Sequence, residues 1–145
     1  MKITVEHAEA AENEVILRCP DLDEEMLGVL SLLRSGLRRL CVWDDSRQTT
    51  LLSPGEVVYC ETVDDRVFVY TGQTVYQTAL GLGELESRYG SLGFFRAGKS
   101  SVVNLHRIRS LVSQGGGRIE ATLETGEKLI VSRRYAPLLR ERLGL

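Results

Sequence analysis

Between Arg38 and Thr78, five short runs follow one another: RRLCVW, TTLL, EVVYCE, RVFVY and TVYQT. Each is rich in β-branched and aromatic residues. The pieces between them, DDSRQ, SPG, VDD and TGQ, are turn chemistry. Runs this short are not helices of ordinary length. No helical pattern separates them, as crossovers between parallel strands would require. The pattern therefore calls for antiparallel strands joined by tight turns, and it excludes both a helical bundle and a doubly wound α/β fold.

The rest of the chain is organised around that block. KITVE (2–6) and EVILRC (14–19) alternate apolar and polar residues and predict two further strands. After Pro20, the residues Leu22, Met26, Val29, Leu30 and Leu33 recur at helical spacing. A helix over 22–35 follows, capped by Asp21 or Asp23 and stopped at Gly36. LGLGELESRYG (80–90) predicts a second helix. SSVVNLHRIRSLVS (100–113) is rich in β-branched residues, and GGG breaks the chain at 115–117. RIEATLE and EKLIVS predict a hairpin around the turn TG. Ser132 is placed to cap a short C-terminal helix, RRYAPLLRERLG.

One stretch invites a different reading. Gly93, Gly98, Lys99 and Ser100 match the P-loop pattern G-x-x-x-x-G-K-[ST] letter for letter. That pattern cradles phosphate only between a buried strand and a helix. Here a predicted helix precedes it and SVVNL, a good strand, follows. Phe94, Phe95 and Arg96 are bulky for a loop folded tightly on phosphates. No nucleotide cofactor is expected, and Arg96, Lys99 and Ser100 remain as a cationic, donor-rich cluster.

Charge is distributed unevenly. Residues 1–65 hold 14 Asp/Glu against 6 Lys/Arg, whereas residues 66–145 hold 6 against 12. A basic half beside an acidic one points to a polyanion partner for the second half. The only nucleophile–base pairing on offer is Ser100 or Ser101 with His106, and nothing orients that histidine, so no enzyme is expected. Neither His7 nor His106 has a ligand partner at metal spacing, so no metal is expected. Cys19, Cys41 and Cys60 are odd in number and far apart, which suits buried thiols of a cytoplasmic protein. MKITVEHAEAAENE has no apolar signal-like stretch, and no run is long enough to span a bilayer.

The run GFFRAGKSSVVNLHRI resembles the central signature of the LytTR DNA-binding domain, in which F-x-R-x-x-x-S leads to a V-N strand. Three further pieces agree in order and spacing. SPGEVVYCETVDDRVFVYT resembles the family's opening strand pair, ALGLGELESRYG its internal helix, and ETGEKLIVSRRYAPLLRERLG its closing strand and terminal helix. The resemblance covers residues 44–145. It departs at Gly98, where many members carry a histidine. It implies a mainly β (α+β) fold of elongated antiparallel sheets with short helices, here preceded by a small strand–strand–helix segment at 1–43. That preface is too short for a receiver domain and resembles the short, receiver-less members.

The resemblance further implies a transcription regulator that reads the major groove of repeated promoter sites in double-stranded DNA through loops. Carried over position by position, Arg66, Lys99 and Arg134 match base-reading loops; arginine and lysine suit guanine O6 and N7. Arg96, Ser100, Asn104, Arg107 and Arg133 are assigned to phosphate contacts or to orienting those loops. For Asn104 the plain alternative is a hydrogen bond to backbone within the fold. The preface is expected to offer a partner surface, for a homodimer or for a small membrane protein encoded nearby. The competing reading is a protein–protein adaptor that acts through its acidic first half and never touches DNA.

Overall fold

The structure, a computed structural model, describes the backbone of residues 1–145 and all side chains except those of 35–37. It divides into Met1–Gly36 and Leu37–Leu145. The boundary expected at 43 falls inside the second unit, because 40–43 forms a sheet strand there.

In the first unit, helix α1 (Glu24–Leu37) forms as its spacing requires. Asp23 caps it: the Met26 N–H donates to Asp23 Oδ1 at 2.9 Å. The expected stop at Gly36 falls among residues 35–37, whose side chains lie outside the described ones. The two strands expected at 2–6 and 14–19 do not form. Alternation gives a segment two faces, but a strand also needs a ladder partner for its backbone, and neither segment has one. Their apolar side chains stay in solvent, with Ile3 88% and Val15 67% exposed.

The second unit follows the sequence closely. The five runs become β1 (Leu40–Trp43), β2 (Thr49–Leu52), β3 (Val57–Val63), β4 (Arg66–Thr71) and β5 (Val75–Thr78). Helix α2 (Leu82–Tyr89) precedes β6 (Phe94–Gly98) and β7 (Ser101–Asn104). Then come β8 (Ile108–Ser113), β9 (Ile119–Leu123), β10 (Lys128–Val131) and helix α3 (Ala136–Leu143). All pairing is antiparallel. Seven strands lie in the order β2-β1-β5-β4-β3-β7-β6, and three in the order β10-β9-β8.

Alternation along the central strands gives two cores. Phe94, Cys60, Val69 and Val102 face α2, where Leu82, Leu85 and Tyr89 close over them. Phe95, Ala97, Val103 and Tyr59 face the three-stranded sheet and meet Ile119, Ala121, Leu123, Val131 and, from α3, Leu139. The pattern holds along β3 only because of a bulge. The β3–β4 register shifts between Val57 and Tyr59, so the neighbours Val58 and Tyr59 both serve the second core. Each fully buried side chain such as Phe94 or Leu85 contributes roughly 1.5–3 kcal/mol. Tyr59 adds a polar link, its hydroxyl donating to Glu127 Oε2 at 2.5 Å. Burial, then the Glu127 carboxylate, raises the tyrosine's pKa. Burial alone pushes the Cys60 thiol up to about 12, which makes it an inert core residue.

The P-loop match resolves into a strand. Residues 94–98 are β6, paired with β7 through Phe94–Asn104, Phe95–Val103 and Arg96–Val102. Strand, not helix, follows the lysine, and the backbone that would cradle phosphate is in a ladder. Gly93 has another purpose. It adopts φ 107°, and a Cβ there would stand 2.6 Å from His106 Cδ2 and 3.1 Å from Asn104 Oδ1. Only glycine lets the chain turn from α2 into β6 at this point. Gly93→Ala is expected to lower unfolding free energy by about 1–3 kcal/mol in urea titrations, with the m-value unchanged.

Candidate nucleic-acid interface

Four turns lie at one end of the second unit, and direct contacts link them. Asp64 and Asp65 join β3 to β4 with Val63 opposite Arg66. Both have positive φ, 51° and 62°, as a two-residue type I′ hairpin demands. Aspartate tolerates that region better than most side chains. Next to this hairpin, Lys99 and Ser100 join β6 to β7. The Thr62 N–H donates to Ser100 O at 2.9 Å and fastens the two turns together.

The β6–β7 register shifts between Arg96 and Gly98, so Ala97 is a bulged residue whose carbonyl leaves the ladder. That carbonyl accepts the Ser132 N–H at 2.8 Å. Ser132 opens the third turn, 132–135, between β10 and α3. The expected helix start is corrected here: Ser132 is not the cap, and α3 begins at Ala136 after Tyr135. Ser132 instead closes the turn, its carbonyl accepting from the N–H groups of Tyr135 and Ala136. Arg133 and Arg134 therefore project from a turn rather than from a helix. The fourth turn, Gln114–Arg118, joins β8 to β9 and is closed by the Gln114 N–H donating to Arg118 O at 2.8 Å. A Cβ on Gly117 would stand 3.0 Å from Arg133 Cγ, which places this turn against the third.

The basic residues divide by what they touch. Arg96 lies half-buried behind the Lys99 turn; its Nε donates to Gly98 O at 2.7 Å and its Nη2 to Lys99 O at 2.9 Å. It orients that turn. Arg107 lies at the opposite end of β7 from Lys99. Its Nε and Nη2 donate to Gly55 O at 2.9 and 2.6 Å, and its Nη1 lies 3.0 Å from Glu124 Oε2. Arg140 donates to Ser113 Oγ, and Arg142 to Gly90 O. By contrast, the side chains of Arg66, Lys99 and Arg133 are exposed, and among the described residues they make no hydrogen bond or ion pair. Arg134 is exposed too, its guanidinium 5.4 Å from the centre of the Tyr135 ring.

Two of the expected site residues are engaged inside the fold. Asn104 is 1% exposed. Its Nδ2 donates to Val57 O at 2.8 Å, and its Oδ1 accepts from the His106 N–H at 3.1 Å. It pins β7 to the start of β3, the backbone role that the sequence left open for it. Arg107 is likewise engaged inside the fold, through three bonds at the end of β7 away from Lys99. Arg66, Lys99, Ser100, Arg133 and Arg134 are brought together on the four-turn rim. Arg66 also borders an open depression of about 590 Å³ shared with Trp43, Arg47 and Gln77. Arg118 joins the basic residues on that rim, a place its sequence neighbours do not disclose. GGG marks a turn, but only the pairing of β9 with both β8 and β10 brings that turn to the rim. Among the described residues no group of three or more His, Cys, Asp or Glu is arranged to hold a metal.

The model of the LytTr DNA-binding domain family matches residues 47–144. Curated Staphylococcus aureus proteins described as uncharacterized HTH-type transcriptional regulators are 21% identical over 140 residues, covering 96% of this chain and 95% of theirs. In this chain strands separate the α-helices α1, α2 and α3 along the sequence. The sensory transduction protein LytT of Enterococcus faecalis is 27% identical over 96 residues, 66% of this chain and 39% of that protein. A solved LytTr DNA-binding domain, from a putative methyl-accepting/DNA response regulator of Bacillus cereus, has the same fold. Its TM-score is 0.70 at 21% identity, over 74% of this chain and 98% of that one.

The division between engaged and free side chains is measurable without any ligand. Asn104→Ala is expected to cost about 1–3 kcal/mol of stability, because the Val57 carbonyl is left buried and unpaired. Arg133→Ala is expected to change stability by less than about 0.5 kcal/mol. Equilibrium denaturation of both variants checks the contrast.

Proposed function

The chain belongs to the LytTR DNA-binding domain family, and on that footing we propose that it is a transcriptional regulator that reads duplex DNA through its rim of turns. The observation that carries the proposal is the coincidence of free cations and fixed backbone. Arg66, Lys99, Arg133 and Arg134 have side chains left over for a partner, and they project from turns tied to one another by Thr62–Ser100 and Ser132–Ala97. A loop reads base edges only if its backbone is held still while the side chains engage.

Roles follow from position. Lys99, Arg134 and Arg66 stand at turn tips or strand starts and act on base edges in the major groove, where guanine offers O6 and N7. Arg133 and the Ser100 hydroxyl act on phosphates, and Arg96 holds the Lys99 turn in shape. Met1–Gly36 holds the apolar stripe of α1, with Met26, Val29, Leu30 and Leu33 half-exposed. That stripe is a partner surface, for a second copy on repeated promoter sites or for a small membrane protein.

Lys99→Ala and Arg134→Ala are each expected to weaken binding to a selected site by about 1–3 kcal/mol and to relax preference at one base position. Titrations against the selected duplex and a scrambled one check this. An unchanged ratio between the two removes these residues from base reading. A wild-type protein with no salt-sensitive binding to any duplex leaves the adaptor role standing instead.

A further inference from the structure

Of the four turns of the rim, the three-glycine turn alone supplies none of the cations assigned above. Two of its glycines answer to the chain itself. Gly116 and Gly117 have φ of 78° and 79°, and a Cβ at 117 would press on Arg133. Gly115 is different. Its φ lies outside the left-handed region, and a Cβ there would meet nothing within 4 Å. Neither conformation nor internal packing requires glycine at 115. Two cations flank the same turn: Arg133, whose stem lies over Gly117, and Arg118, whose Nε would be 3.9 Å from a Cβ on Gly116. The Arg118 Nε–H donates to Gly115 O at 3.4 Å, and its terminal nitrogens have no partner among the described residues. The nearest acid on the adjoining strand, Glu120, is already held by Gln114 at 2.8 Å and by Lys128 at 3.5 Å. The two guanidinium-bearing side chains therefore share one turn, and neither is in an ion pair among the described residues.

We propose that turn 114–118 is a phosphate anchor of the DNA-facing rim. Arg118 pairs with a phosphodiester, and the missing side chain at Gly115 lets the sugar–phosphate strand lie against bare backbone. The inference rests on the DNA-reading role proposed above and adds a sequence-independent contact to it. Guanidinium suits this task through its fixed fork of donors.

The test uses the full chain and a duplex selected from a random pool by the wild-type protein, with a scrambled duplex beside it. Arg118→Ala is expected to weaken binding to both duplexes by the same factor, roughly 3- to 10-fold at low salt. It should also reduce the slope of log K against log salt by about one. Gly115→Leu is expected to leave the melting temperature unchanged, because the free protein has open space there, and to weaken both duplexes alike. Arg88→Ala removes one positive charge from α2, which joins none of the four turns, and is expected to change neither quantity. Unchanged affinity and slope in Arg118→Ala, with the wild type binding normally, overturns the anchor and leaves the base-reading role intact. Weakening of the selected duplex alone overturns it as well, because that marks a base contact. Normal binding by Gly115→Leu overturns the close approach. A wild-type protein that binds neither duplex sinks the anchor and the DNA-reading role together.

Discussion

The hydrogen bond from the Ser132 N–H to the Ala97 carbonyl joins two sheets that otherwise share no ladder. It exists because β6 is irregular. A bulge at Ala97 turns one carbonyl out of the β6–β7 pairing, and the start of the 132–135 turn takes it up. One such bond is worth only about 1 kcal/mol net. Its larger effect is geometric, because it fixes the separation between the Lys99 turn and the Arg134 turn. The apolar contacts behind it, Ala97 and Phe95 against Val131 and Leu139, make that separation rigid. A regular strand in place of β6 would leave the two turns unconnected.

The arginines show why residue type alone does not mark a site. Arg96 and Arg107 have the same chemistry as Arg133 and Arg134. The first pair is folded back onto backbone carbonyls, where a charged donor satisfies groups at the ends of strands. The second pair faces outward. In a sequence these uses look alike, since each arginine lies near a strand end or turn. Only the register of the neighbouring strands decides which carbonyl lies within reach. Net charge along the chain therefore marks a basic half of the molecule but does not separate structural cations from free ones.

What could be read from sequence follows the same logic. The five strand runs and α2 were legible because turn residues and apolar periods agree there, and local preference was upheld by pairing. The strands expected at 2–6 and 14–19 had the right period and no partner, and pairing is not a local property. The glycines of the P-loop pattern were legible as glycines but not as to their cause. Gly93 is required by the His106 and Asn104 side chains, which come from the other side of the β6–β7 hairpin. Asn104 itself was left open between phosphate and backbone, and burial to 1% decides for backbone. The place of turn 114–118 on the rim was invisible, because it comes from β9 pairing on both sides.

Asp64 and Asp65 are the part of the rim that opposes a polyanion. Their backbone conformation explains them in part, since both positions need positive φ and aspartate tolerates it. Asparagine and glycine meet the same demand without charge, so the carboxylates have a consequence of their own. Sequence-independent attraction to DNA scales with the number of phosphates neutralised, and two carboxylates beside Arg66 subtract from it. Hydrogen bonds to base edges depend on alignment and lose much less. On a small domain with few free cations, lowering the first term while keeping the second widens the gap between a chosen site and the many competing ones. For the DNA reader proposed here, a weakly charged rim held rigid by Arg96 and Ser132 therefore favours discrimination over affinity.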